Sequence, residues 1–111
     1  MSKIEPYLFL NGRADEAIAF YRDALGAEVA MRMTFGENPE PSSMPLPPGW
    51  DKKVMHAALK VGDMLLMLSD ADRADAPAFS GFRLSLAFAD EASARRAFDK
   101  LAEGGNVQLP L

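Results

Sequence analysis

Residues 4–35 read IEPYLFLNGRADEAIAFYRDALGAEVAMRMTF, and the punctuation of this stretch decides the fold. Ile4 to Leu10 is rich in aromatic and branched residues, the composition of a strand. Asn11-Gly12 is a turn signal. Ala14, Ala17, Ile18, Tyr21 and Leu25 then recur at the spacing of one helical face. Gly26 supplies the left-handed stop that most residues resist. Ala27 to Phe35 alternates, with Val29, Met31, Met33 and Phe35 on one side and Glu28, Ala30, Arg32 and Thr34 on the other. That pattern predicts a half-buried strand. The unit is therefore strand, helix, strand.

Downstream, residues 36–53 hold Pro39, Pro41, Pro45, Pro47 and Pro48, which leaves a long loop carrying the only tryptophan, Trp50. Val54 to Val61 alternates again and Gly62-Asp63 makes a hairpin turn. Met64 to Ser69 returns as an apolar strand, expected to be covered on both faces. Asp70, Asp72 and Asp75 fall in a loop that reads as solvated. They lack the glycine and distal glutamate of a calcium loop.

The opening pattern then recurs. Phe82 to Ala89 reads as a strand, and Asp90 as a helix N-cap. A helix with Ala94, Ala97, Phe98 and Leu101 inward ends at Gly104-Gly105, and Asn106 to Leu111 starts another strand. An offset of 78 residues aligns Leu8 with Leu86, Leu10 with Phe88, Ala14 with Ala92, Phe20 with Phe98, Gly26 with Gly104 and Val29 with Val107. This supports an internal duplication.

Composition narrows the function. The chain has 111 residues, a net charge of −4 and no cysteine. Twelve scattered Lys and Arg give no basic face for nucleic acid. Without cysteine there is no thiol nucleophile or zinc ribbon, and a reducing, cytoplasmic setting fits. The longest apolar run is far too short to span a membrane. No glycine-rich phosphate cradle follows a strand.

The segments Pro6-Tyr7-Leu8-Phe9-Leu10-Asn11-Gly12, Ala17-Ile18-Ala19-Phe20-Tyr21 and Ala24-Leu25-Gly26-Ala27 open a longer series. Val54-Met55-His56-Ala57, Gly62-Asp63, Leu66-Met67, Ser69-Asp70, Leu84-Ser85-Leu86 and Gly104-Gly105 through Pro110-Leu111 continue it. In this order they resemble the PhnB-like branch of the vicinal-oxygen-chelate (glyoxalase/bleomycin resistance/dioxygenase) superfamily. The resemblance implies an α+β fold in which paired βαβββ modules form a cupped mixed sheet with helices outside. Module one would span residues 1–70 and a partial, apparently truncated module two residues 81–111, in a single domain.

Metal-dependent relatives place His or Glu on the first and last strand of each module. The corresponding positions here carry Pro6 (or Glu5), Met67 and Arg83, which are not a divalent-metal set. No metal and no cofactor are expected. Some relatives carry a methyltransferase label, yet nothing in these residues reads as a site for S-adenosylmethionine.

His56, the only histidine, is the candidate general base. Tyr7, Phe9, Arg32, Trp50, His56, Met67 and Ser69 are the candidate ligand-binding residues. Arg32 is expected on the same face as His56, a pair that would suit an anion. The leading expectation is a homodimer that binds a small molecule without a metal. The alternatives are an enzyme using His56 (a glyoxalase-like lyase, dioxygenase or resistance transferase) and a non-catalytic interaction domain.

Overall fold

The computed structural model describes residues 2–39, 45–71 and 79–111. Its elements are β1 (Tyr7–Phe9), α1 (Ala14–Leu25), β2 (Glu28–Thr34), a 3-10 turn (Trp50–Lys52), β3 (Val54–Val61), β4 (Met64–Ser69) and α2 (Glu91–Ala102). The four strands form one mixed sheet in the order β1-β4-β3-β2. β1 runs parallel to β4, and the other two pairings are antiparallel.

β1 is shorter than its composition suggests because Pro6 has no N–H to donate. Its carbonyl still accepts from Met67 N, and Leu10 N donates to the Ser69 carbonyl, so the extended path outlasts the strand. α1 ends as its sequence dictates. Gly26 sits at φ 65° and its N–H caps the Arg22 carbonyl. Gly62 opens the β3–β4 hairpin at φ 59°, which fits a two-residue loop between Val61 and Met64.

One face of the sheet carries the core. Leu8 from β1, Ala57 and Leu59 from β3, and Leu66 and Leu68 from β4 pack with Ala14 and Ile18 of α1. Leu59 and Leu68 are wholly buried. Side chains alternate across a strand, so the neighbours of these residues point to the opposite, uncovered face. The expectation that β4 is covered on both faces is thus corrected: Leu65 and Met67, on that face, are only half-buried.

The second half departs further from its reading. α2 forms, and Asp90 caps it by accepting from Ser93 N at 2.9 Å. Residues 82–89 and 106–111 form no strand. Phe82, Leu84, Leu86 and Phe88 alternate as a strand requires, but no ladder receives their backbone and all four are exposed. Alternation encodes the capacity to be a strand; a neighbouring strand makes it one.

Candidate functional site

The uncovered face is assembled by register. Tyr7 pairs with Met67 and Phe9 with Ser69. Ala58 pairs with Met67 on one side and with Met31 on the other, and Met33 pairs with His56. Directly paired residues share a face, so Tyr7, Phe9, Met67, Ser69, His56, Ala58, Met31 and Met33 form one patch.

Its polar centre is a contact across β4. The Tyr7 hydroxyl and His56 Nδ1 share a hydrogen bond of 3.0 Å, whose direction follows the imidazole tautomer. The two rings meet edge to face at 5.3 Å, and Phe9 stacks on Tyr7 at 4.7 Å. Ser69 is buried, with its hydroxyl spent on Ala71 N at 3.0 Å. Even so, Tyr7 and Phe9 remain 41% and 48% exposed, so this aromatic pair is presented outward rather than buried in a core.

Two candidate residues lie elsewhere. Arg32 was expected beside His56, and a β-bulge overturns that expectation. Val29 pairs with Leu59 and Met31 with Ala58, so two residues of β2 advance against one of β3 and Ala30 is the surplus. From Met31 to Met33 the side chains of β2 change face, until a second register shift between Met33 and Thr34. Arg32 pairs with Ala57 on the helix side and makes two 2.8 Å hydrogen bonds to Asp15 of α1. Met31 and Met33 take its place on the open face. The Arg32 guanidinium holds Asp15 below the usual carboxylate range, through these hydrogen bonds first and against the opposing cost of burial.

Trp50 is the second correction. It is 5% exposed, its ring lies on Gly12, and its indole N–H donates to the Ala71 carbonyl at 2.6 Å. Lys53 closes the same joint through a 2.9 Å bond to the Gly12 carbonyl. The large, half-polar indole is consumed in pinning the long loop to the β1–α1 turn.

Asp70 is the residue that sequence reasoning misjudged most. It is 1% exposed, not a solvated loop carboxylate. One oxygen accepts from Gly12 N and Ala14 N and the other from Val54 N, each at 2.8 Å. It thereby ties the entry of α1 and the start of β3 to the end of β4. Its position directly after an apolar strand was the available signal. Asp72 and Asp75 lie outside the described residues.

The donors present do not fit a family-type metal. Among the described residues no three His, Cys, Asp or Glu side chains converge. Glu5, the one carboxylate on the first-strand path, accepts from Leu65 N at 3.0 Å. Met67 and Arg83 are not ligands for such an ion. No helix among the described residues is long and apolar enough to cross a membrane.

A four-stranded mixed sheet with a helix on one face and an open aromatic face matches the module of one protein class. The chain belongs to the Glyoxalase/Bleomycin resistance protein/Dioxygenase superfamily, whose family model matches residues 3–111. Within it, the relatives point to the PhnB-like branch. The Escherichia coli K12 protein YjdN is 33% identical over 115 residues, covering 96% of this chain and 76% of that protein. The crystal structure of PA1353 from Pseudomonas aeruginosa is 40% identical with a TM-score of 0.83, covering all of this chain and 80% of that one. The PhnB protein of Bacillus cereus is 25% identical with a TM-score of 0.65, covering 99% of this chain and 81% of that one.

Proposed function

We propose that the chain binds a small molecule on the open face of its sheet, without a metal, and acts as a homodimer in the cytoplasm. The observation that carries this reading is the Tyr7–His56 hydrogen bond set among exposed Tyr7, Phe9 and Met31. A few placed polar groups in an apolar setting are what small-molecule sites share. The donor chemistry at Glu5, Met67 and Arg83 supports the metal-free part. The exposed apolar residues at 82–88 support self-association, and the absence of cysteine fits a reducing compartment.

Elemental mass spectrometry of protein purified without chelators tests the metal-free part. The expected result is well below one metal per chain and a melting temperature unmoved by EDTA. Stoichiometric metal, or a fall in melting temperature on chelation, overturns it. A thermal-shift screen that finds no stabilising small molecule would count against binding itself.

A second reading, favoured by the same hydrogen bond, is acid–base catalysis with His56 as the base and Tyr7 as its orienting partner. Replacing His56 with Ala should then abolish any turnover found; unchanged turnover removes the role.

A further inference from the structure

We infer, resting on the binding reading above, that the open face selects an uncharged aromatic molecule bearing one acceptor oxygen, and discriminates against anions. The argument starts from where the positive charges go. The bulge at Ala30 turns Arg32 to the helix side, where Asp15 neutralises it. Lys53 is spent on the Gly12 carbonyl. Lys60 lies four residues along β3 from His56, about 13 Å away, and pairs with Glu28 across the strands. Among the described residues of the four strands, no cation stands beside the Tyr7–His56 pair.

What stands there instead is flat and largely apolar. Tyr7 and Phe9 stack with their planes 25° apart and offer an aromatic platform. Met31, Met33 and Met67 surround it in register, and thioethers adapt to ring edges. The one polar feature can donate to a ligand in either neutral tautomer. If Nδ1 accepts from the Tyr7 hydroxyl, the imidazole keeps its Nε2 hydrogen. If Nδ1 donates, the phenol keeps its own hydrogen. Either neutral tautomer leaves one donor for an oxygen of the ligand. A carboxylate or phosphate placed here would lose water and find no counter-charge among the described residues of the four strands.

The single histidine makes the test site-specific, because one imidazole proton resonance reports the patch. The 111-residue chain is titrated with 2-naphthol, 2-naphthoate and naphthalene while that resonance is followed. The expected result is that 2-naphthol moves it and binds at least about tenfold more tightly than 2-naphthoate. If 2-naphthoate moves the resonance with equal or higher affinity, the ligand class is overturned while the open-face site stands. If none of the three moves it, both the ligand class and the binding reading fall.

Replacing Tyr7 with Phe keeps the ring and removes the hydroxyl. Affinity for 2-naphthol should fall about 3- to 10-fold, with naphthalene unaffected and the melting profile retained. Equal losses for both probes overturn the assignment of the polar contact.

Discussion

Asp70 accepts from three backbone N–H groups, and its carboxylate does so out of water. Replacing it with Ala strands two buried donors and one part-buried donor at once. The expected cost is about 3–5 kcal/mol, read as a lower midpoint in urea unfolding. Asn should recover only part of it, because its amide must turn one donor toward an N–H. Gly12 is constrained from two sides at the same joint. Its φ is 107°, and a Cβ there would lie 3.2 Å from the Trp50 ring. The Asp15–Arg32 pair is a smaller matter, since both side chains are more than a third exposed. Its contribution is under about 1 kcal/mol. Asp15 titrates below its ordinary 3.8 in the folded chain. The stabilisation is therefore complete above that ordinary value and is lost as pH falls through the depressed one. Asp15→Asn should lower the melting temperature slightly at neutral pH and match the parent in strong acid.

Among the elements, β2 shows how local the control of a face can be. Removing one residue from a paired strand ordinarily flips every side chain beyond it. Ala30 is the surplus residue of a bulge, so deleting it leaves Val29 opposite Leu59 and Arg32 opposite Ala57. The deletion should cost less than about 2 kcal/mol, whereas deletion of Ala58, paired on both sides, should abolish cooperative unfolding; circular dichroism on heating checks both. The same bulge explains what could and could not be read from the sequence. The helix over residues 14–25, its Gly26 stop, the Gly62-Asp63 hairpin and the Asp90 cap rest on residues whose local chemistry leaves few options. The face of His56 followed from alternation against Ala57 and Leu59. The face of Arg32 did not, because a bulge at an alanine breaks no local rule. Asp70 and Trp50 escaped for a related reason: Asp70 is held by residues 12, 14 and 54 and Trp50 by residues 12 and 71, each set distant in sequence from the residue it holds.

For the molecule as a whole, the Cα radius of gyration is 15.4 Å, against about 13 Å for a compact domain of this length. The excess fits a C-terminal third that reaches α1 through α2 and leaves residues 82–88 in water. Phe82, Leu84, Leu86 and Phe88 are all exposed, as are Tyr7 and Phe9 on the sheet, and large exposed apolar surface is what self-association covers. In the 111-residue chain, sedimentation should show self-association that strengthens with concentration. Replacing Phe82 and Leu86 with Lys should shift the chain toward monomer while leaving the helix signal intact. A parent chain that stays monomeric across the concentration range would remove the homodimer from the proposal.

The joint under Trp50 also gives the chain a built-in optical gauge. With a single indole, all tryptophan emission comes from the place where residues 12, 53 and 71 are fastened together. Its colour and quenching report whether that fastening is shut. Loosening it, by a variant at Asp70 or by denaturant, should redden the emission before the sheet itself is lost. Occupation of the aromatic face should leave it almost unchanged, so one cuvette separates opening of the fold from filling of the site.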